Sequence, residues 1–291
     1  MVKKKPGRKT RLVLSLMVVV VVGVAVGVAI STRSTAPAPA RRTIPPSTTT
    51  TPSATTTGTT TAPATTAPAT TAPATTAPAG NEPRPLGVPG DWKLVFNDGF
   101  GGDSLNRAKW NAHDGWSNQN GVTDSLANVK VQSGHAILTL ASASSGAELG
   151  TRRFALKVGE FAEARIKFAG SGQTIYNWPA WWLSGPNWPG GGENDVAEGF
   201  GVLTVNYHSP SLVEHSGPVS GDWANQFHVF GIYRARNYAR VYWDGRLKET
   251  YRTDDNGQPE TLLLTLGASN QVRTGAAGAM IVDFVRAWRP A

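Results

Sequence analysis

The chain has 291 residues, 40% of them hydrophobic, and no cysteine, which excludes disulfide bonds and thiolate chemistry. Its 28 basic residues outnumber its 20 acidic ones, but nine of the basic residues lie within the first 42 positions, where no acid occurs. From Pro83 onward the remaining 19 basic residues face 19 acidic ones. This balance argues against a nucleic-acid-binding protein, whose domain usually carries a basic face.

The first 30 residues combine a basic stretch with an apolar one. Residues 1–11 carry six basic side chains, and Leu12–Ile30 is a run of 19 residues without a charge. A helix of that length, at about 1.5 Å per residue, nearly spans a hydrocarbon core of about 30 Å. We predict a basic cytoplasmic tail (1–11) and a single-pass transmembrane signal anchor (12–30), with the rest of the chain outside the cell membrane. A cleaved signal peptide is the alternative, and it predicts a secreted protein.

Residues 31–82 are dominated by Thr, Ala and Pro and include four consecutive copies of TTAPA. Such a composition cannot build a hydrophobic core. We predict a disordered linker, extended by its prolines, that holds the following domain away from the membrane.

Residues 83–291 are long enough for one domain with a sizeable core. Short β-branched and aromatic runs such as HAILTLA, FHVFGIYRA and TLLLTLG are separated by Gly, Asn, Asp and Ser. The pair Asp244-Gly245 is a strong signal for a two-residue hairpin. No segment shows a long apolar period of 3.6 residues. The domain is therefore predicted to be an all-β sandwich of two antiparallel sheets.

The segment ENDVAE places Glu193, Asp195 and Glu198 within six residues. On a strand, Glu193 and Asp195 point to one face, whereas Glu198 has the opposite parity. One extra residue inserted as a β-bulge around Val196 and Ala197 would bring all three acids to the same face, and bulges are common beside active sites.

Three carboxylates on one face suit the cleavage of a glycosidic bond. That reaction needs one carboxyl group to attack or to activate water and another to protonate the leaving oxygen, and in retaining enzymes the two lie about 5 to 5.5 Å apart. Like charges also push pKa values apart, which separates an acid from a nucleophile. The alternatives on the motif alone are a solvated acidic loop or a calcium site.

All ten tryptophans lie in the domain, and several have a predicted place. In NWPAWWL, Trp178 and Trp182 share a strand face and Trp181 takes the other. The pair Trp178 and Trp182, upstream of the acids, is a candidate platform for stacking on sugar rings. Trp181, Trp243 and Trp288 are expected in the core.

The domain opens with WKLVFNDGF and continues, in order, with EARIKF, WPAWWL, ENDVAE, LTVNYH, FHVFGIY, VYWDG and VDFVRAW. With these segments in this order, the domain resembles glycoside hydrolase family 16. The resemblance covers essentially the whole domain. It implies a β-jelly roll, related to concanavalin A, with an open cleft across its concave sheet. It also implies retaining endo-hydrolysis of β-linked glucans or galactans, with the ENDVAE spacing closer to β-1,3-glucanases than to lichenases.

The same resemblance implies roles for individual residues. Glu193 corresponds to the nucleophile, Glu198 to the acid/base and Asp195 to the assisting carboxylate. Trp178 and Trp182 correspond to sugar-stacking residues. His208 matches a cleft histidine near the acid/base, with a structural hydrogen bond as the alternative.

Two positions depart from the family pattern. Asn194 stands where an aliphatic residue usually faces the core, so its buried amide needs partners. Gly99 replaces a glutamate that, with the aspartate matched by Asp283, often contributes to a structural calcium site. We therefore expect no cofactor and no bound calcium. His208 and His215 are seven residues apart without a third ligand nearby in sequence, so we predict no metal ligands.

The sequence thus predicts a monomeric, exported glycosidase that acts on a polysaccharide and is tethered to the membrane by its N-terminal anchor. Two alternatives stay open on the sequence alone. One is a non-catalytic carbohydrate-binding module with the same sandwich fold. The other is a transglycosylase that remodels a cell wall with the same catalytic residues.

Overall fold

Two facing β-sheets make up the part of the chain that the structure describes, as the sequence predicts. The computed structural model describes residues 83–115, 117, 118, 121–268 and 278–291. The predicted tail (1–11), membrane anchor (12–30) and linker (31–82) lie outside these residues. Among the residues described, no helix has the length and apolar character needed to cross a membrane.

The described residues contain eighteen strands and one short 3₁₀ turn, Leu126–Asn128. In chain order the strands are β1 Trp92–Asp98, β2 Trp110–Ala112, β3 Thr123–Asp124, β4 Val129–Gln132, β5 His135–Thr139, β6 Ser145–Thr151, β7 Phe161–Lys167, β8 Gly170–Ser171, β9 Thr174–Ile175, β10 Trp178–Ser184, β11 Glu193–Gly199, β12 Leu203–His208, β13 Val213–Pro218, β14 Phe227–Arg234, β15 Tyr238–Trp243, β16 Arg246–Arg252, β17 Thr261–Gly267 and β18 Ala279–Pro290.

Two eight-stranded sheets organise these strands. Sheet I has the order β16-β15-β14-β7-β18-β5-β4, with β1 also paired to β18. Sheet II has the order β13-β12-β11-β10-β17-β6-β2, with β3 also paired to β6. The pairing is antiparallel within both sheets except between β3 and β6, which run parallel. Strands β8 and β9 form a separate small hairpin. This arrangement confirms the predicted all-β sandwich.

The predicted core tryptophans are confirmed, and two of them connect the sheets. Trp181, Trp243 and Trp288 are fully buried. The indole of Trp181 in sheet II donates a 3.1 Å hydrogen bond to the carbonyl oxygen of Phe230 in sheet I. Buried indoles combine a large apolar area with one N–H that needs a partner, so Trp181 both fills the space between the two sheets and fixes their packing.

Strand β11 carries the predicted bulge. Against β12, Asp195 pairs with Asn206 but Glu198 pairs with Thr204, so three steps on β11 match two on β12. The extra residue leaves a carbonyl oxygen outside the ladder. The oxygen of Val196 is instead bound by the indole nitrogen of Trp243 from sheet I, at 2.9 Å. A core tryptophan therefore stabilises the irregularity that re-aims Glu198.

The predicted hairpin at Asp244-Gly245 is also present, between β15 and β16. Both residues have positive φ, 47° and 71°. Positive φ at both central positions defines the type I′ turn that fits the twist of a hairpin, which explains the Asp-Gly pair.

Candidate active site

The three acids of β11 lie on one face of sheet II. The intervening Asn194, Val196 and Ala197 are fully buried, whereas Glu193 and Glu198 are partly exposed. This burial pattern is the one that a strand with a single bulge produces. The bulge thus brings together carboxylates that a regular strand would separate.

Glu198 is held by two side chains from the neighbouring strands. Its Oε1 accepts a 2.6 Å hydrogen bond from the indole nitrogen of Trp178 on β10. Its Oε2 accepts a 2.6 Å hydrogen bond from the amide of Asn206 on β12. Trp178 also meets Phe200 edge-to-face, with ring centroids 5.9 Å apart. The two N–H donors fix the plane of the carboxyl group.

Glu193 is oriented by a tryptophan from the preceding loop. The indole nitrogen of Trp188 donates a 2.6 Å hydrogen bond to Oε2 of Glu193. Burial, followed by the charge of Asp195, raises the pKa of Glu193 to about 8, while His208 and Trp188 act in the opposite direction. Glu193 therefore keeps a proton near neutral pH more readily than an exposed glutamate does.

Asp195 is the most deeply placed of the three acids, at 3% exposure. Burial and the charges of Glu198 and Glu260 raise its pKa well above the usual range. The nearest basic group is His208, whose Nε2 lies 3.3 Å from Oδ2 of Asp195. His208 faces Glu193 across the β11–β12 pair. His208 therefore contacts Asp195, and on the same strand it is Asn206 that contacts Glu198.

Trp182 lies on the same strand face as Trp178, as predicted. It is the first of a chain of hydrogen-bonded polar side chains that crosses sheet II. Its indole nitrogen donates a 2.7 Å hydrogen bond to Oγ1 of Thr265. The hydroxyl of Thr265 in turn donates to Oε2 of Glu148 at 3.2 Å. The other oxygen of Glu148 contacts Nδ1 of His113. Both tryptophans predicted as sugar platforms thus also anchor polar groups through their indole nitrogens.

The buried amide of Asn194 has the partners that the sequence requires. Its Nδ2 lies 2.8 Å from each carboxylate oxygen of Glu260, and its Oδ1 accepts a 2.8 Å hydrogen bond from the hydroxyl of Tyr251. Arg234 pairs with Glu260 at 3.1 Å and with Asp255 at 2.5 Å. Burial nevertheless raises the pKa of Glu260 to about 8. The family departure at Asn194 therefore belongs to a buried charged network directly behind the three acids.

The residues at the family's calcium position do not fit a calcium ion. Asp283 forms a 2.5 Å ion pair with Arg165 and lies 3.8 Å from Nε2 of His135. The guanidinium of Arg165 already neutralises Asp283, which is the one carboxylate at the two calcium positions. The other position, Gly99, supplies no side-chain oxygen. Calcium takes six to eight oxygen ligands, and the only side-chain carboxylate at these two positions is already paired.

Trp188 and Asn206 were missed by sequence reasoning. Asn206 precedes His208 by two positions on a strand, so the period of two places both on one face and would have identified it. Trp188 lies in a loop and is 42% exposed, and nothing in the sequence pattern indicates that it folds back onto Glu193.

The geometry supports acid–base and nucleophilic chemistry at an acetal carbon. Two partly exposed carboxyls, each oriented by N–H donors, flank a buried third one on a tryptophan-rich face. Glycosidases cleave their bond with a pair of carboxyl groups, and this face of sheet II offers three.

Comparisons with known proteins agree with this chemistry. The sequence model of Glycosyl hydrolases family 16 matches residues 116–274. No curated protein matches the chain. Among solved structures, the fold is similar to that of SCLam, described as a non-specific endo-β-1,3(4)-glucanase, with 23% identity over 73% of this chain and 96% of the other, at a TM-score of 0.61.

Two further structures show the range of such folds. An endo-β-1,3-glucanase from Pyrococcus furiosus has 21% identity over 68% of this chain and 94% of the other, at a TM-score of 0.56. A structure from work on endo-acting O-glycanases of the human gut microbiota that initiate mucin breakdown has 18% identity over 68% of this chain and 100% of the other, at a TM-score of 0.57. At these identities the likeness extends to the fold.

Proposed function

The chain belongs to glycosyl hydrolase family 16 and is a glycosidase, and from this premise we propose that it is a retaining, endo-acting hydrolase of β-linked polysaccharide, of the β-1,3-glucan type. The observation that carries the proposal is the bulge in β11, which puts Glu193, Asp195 and Glu198 on one face. A non-catalytic binding module has no need for carboxyls oriented in this way.

In this mechanism Glu193 attacks the anomeric carbon and Glu198 protonates the departing glycosidic oxygen. The hydrogen bonds from Trp178 and Asn206 then stabilise the carboxylate that Glu198 becomes. In the second step Glu198 takes a proton from water, which attacks the glycosyl–enzyme ester and releases Glu193. The two inversions at one carbon retain its configuration.

Asp195 holds the proton that the buried pair of Glu193 and Asp195 retains near neutral pH. Glu193 and Asp195 both have raised pKa values, so the two acids hold a shared proton near neutral pH. Because Asp195 is the more buried, we place that proton on Asp195, which leaves Glu193 ionised for attack. The indole N–H of Trp188 further stabilises the ionised form of Glu193.

The substrate class is supported by the aromatic residues and by the relatives. Trp178 and Trp182 offer rings on the face that carries the acids, where the apolar faces of sugars stack. Two of the similar structures are endo-acting enzymes for β-1,3-linked glucans. The O-glycanase likeness makes mucin-type glycans the competing substrate.

The proposals on membrane anchoring and on where the enzyme acts rest on the sequence alone. The basic tail (1–11), the apolar segment (12–30) and the linker (31–82) support an enzyme anchored in the cell membrane with its catalytic domain outside, and we propose that it is a monomer. With that placement the substrate is a wall or environmental polysaccharide, and transfer to a sugar acceptor instead of water would make the enzyme a wall-remodelling transglycosylase.

The test is incubation of the purified protein with β-1,3-glucan, β-1,4-glucan, mixed-linkage glucan, galactan and mucin glycans, followed by product analysis. Internal cleavage of the β-1,3-glucan to oligosaccharides is expected. Exclusive cleavage of another substrate would refute the proposed linkage, and release of single sugars only would refute endo action. Longer products on addition of an oligosaccharide acceptor would identify the transglycosylase.

A further inference from the structure

Three possible metal ligands meet at the catalytic face. One donor atom each from Glu193, Asp195 and His208 lies within 4.8 Å of the other two. The strand pairing explains why they meet: Glu193 stands opposite His208, and Asp195 follows Glu193 by two positions on the same face. Sequence spacing alone does not show this set, because the histidine and the acids are on different strands.

A second observation points to a positively charged ligand. Asp195 is 3% exposed, yet its Oδ2 makes no hydrogen bond to any residue that the structure describes. Buried carboxylate oxygens are nearly always satisfied, and an exception needs an explanation. The nearest cationic partner is His208 Nε2 at 3.3 Å, which lies in the same cluster.

The surroundings strengthen the attraction for a cation. Glu198 and Glu260 add like charges to the field at Asp195. The hydrogen bond from Trp188 occupies one position on Glu193, whereas a carboxylate has about four lone-pair positions. Glu193 can therefore bind an ion while it keeps its hydrogen bond to Trp188.

We propose that Glu193, Asp195 and His208 bind a divalent transition-metal ion of the Zn²⁺ type, which displaces the proton shared by Glu193 and Asp195 into solvent, and that this ion inhibits the enzyme. One imidazole nitrogen and two carboxylate oxygens are ligands that Zn²⁺ accepts, with water completing a tetrahedral shell. The imidazole selects against Mg²⁺ and Ca²⁺, which prefer oxygen ligands throughout. Zn²⁺ requires donor distances of about 2.0 to 2.2 Å, so the three side chains would rotate toward the ion on binding.

Inhibition follows from the identity of one ligand. A metal-bound Glu193 has its negative charge neutralised and is a poor nucleophile toward the anomeric carbon, and an ion held on this face would compete with the sugar. This part rests on the proposed function, whereas the binding of the ion does not.

The binding test is calorimetric titration of the full chain with ZnCl₂ in a buffer that does not coordinate metals. One Zn²⁺ per chain is expected, and His208→Ala should weaken binding by at least about 10-fold. The matched control is His135→Ala, which removes a histidine near a single carboxylate, Asp283, in sheet I and should bind Zn²⁺ as the unmodified chain does. Asp195→Asn, which nearly preserves shape, serves as a second ligand variant should His208→Ala fold poorly.

Equal affinity of the unmodified chain and both ligand variants would overturn the site, and so would Ca²⁺ binding as tight as Zn²⁺ binding. The inhibition test adds Zn²⁺ to the hydrolysis assay. A rise in KM that excess chelator reverses is expected, whereas unchanged kinetics at saturating Zn²⁺ would overturn the inhibitory role. Zn²⁺ binding by a protein that is inactive on every polysaccharide would refute the proposed substrate and leave the metal site standing.

Discussion

The indole nitrogen of Trp178 lies 2.6 Å from Oε1 of Glu198, so a residue expected as a sugar platform also orients the carboxyl group that we propose as the acid/base. Asn206 binds the other oxygen of the same carboxyl group. Glu198 is thereby fixed from both neighbouring strands. The indole N–H and the aromatic ring of Trp178 have different expected roles, so their contributions can be measured separately.

Replacing Trp178 by Phe keeps an aromatic ring and removes the N–H. A hydrogen bond to a charged group contributes about 1.5 to 3 kcal/mol, so we expect kcat to fall about 10- to 100-fold with little change in KM. The control is Trp182→Phe, which loses a hydrogen bond to Thr265 instead of one to Glu198. Steady-state kinetics on a soluble β-glucan provide the measurement, and unchanged kcat in Trp178→Phe would remove the orienting role.

Replacing Glu193 by Gln should nearly abolish turnover while the polysaccharide still binds. Loss of a nucleophile typically costs about 10⁴-fold or more in kcat. Binding can be followed by tryptophan fluorescence, since Trp188 contacts the substituted side chain. Glu148→Gln, at another buried carboxylate of sheet II, is the matched control and should keep most activity. Near-normal hydrolysis by Glu193→Gln would refute the assignment of the nucleophile.

The regular features of the site could be predicted from sequence because they follow strand periodicity. A regular strand would place Glu193 and Glu198 on opposite faces, so a shared face required a bulge. The structure has this bulge at Val196. The hairpin at Asp244-Gly245 followed from local backbone preference in the same way.

Long-range partners could not be predicted. Trp243, which binds the carbonyl of Val196, and Glu260, which binds Asn194, lie 47 and 66 residues from their partners. Residues this far apart meet only through the packing and register of the sheets, and these depend on the whole fold. The sequence could state that the buried Asn194 needs partners, but it could not name them.

Asn194→Leu restores the aliphatic residue usual in the family and tests the buried network. The substitution removes the N–H groups that bind Glu260 and leaves the hydroxyl of Tyr251 without its acceptor. An unsatisfied buried polar group costs about 1 to 3 kcal/mol, so the free energy of unfolding should fall by at least that amount. Urea denaturation measures it, and a variant as stable as the unmodified chain would show that the network is dispensable.

Stability should decrease as the pH rises from about 5 to 8. Burial raises the pKa of Glu163 to about 7 and that of Glu260 to about 8, against 4.5 as the ordinary value. Between these limits the folded state binds more protons than the unfolded state, so the free energy of unfolding falls with pH. The stabilisation is full below about pH 4.5 and is lost as the pH passes the raised values.

Urea midpoints at pH 5 and pH 8, measured without metal ions, check this expectation. Glu163→Gln removes one of the titrating groups while keeping an oxygen for the backbone N–H of Leu86, which Glu163 binds at 3.0 Å. The variant should show a smaller loss between the two pH values, and Asp103→Asn, at an exposed carboxylate, should not. A midpoint that rises toward pH 8 would contradict the sign.

The most direct test of the central claim, that Glu193 and Glu198 act as a retaining pair, is the configuration of the first product. Proton NMR during hydrolysis of a β-1,3-glucan oligosaccharide distinguishes the anomers before mutarotation mixes them. We expect the β-anomer to appear first and the α-anomer to grow in later. Initial release of the α-anomer would mean a single displacement by water and would contradict the role of Glu193 as nucleophile.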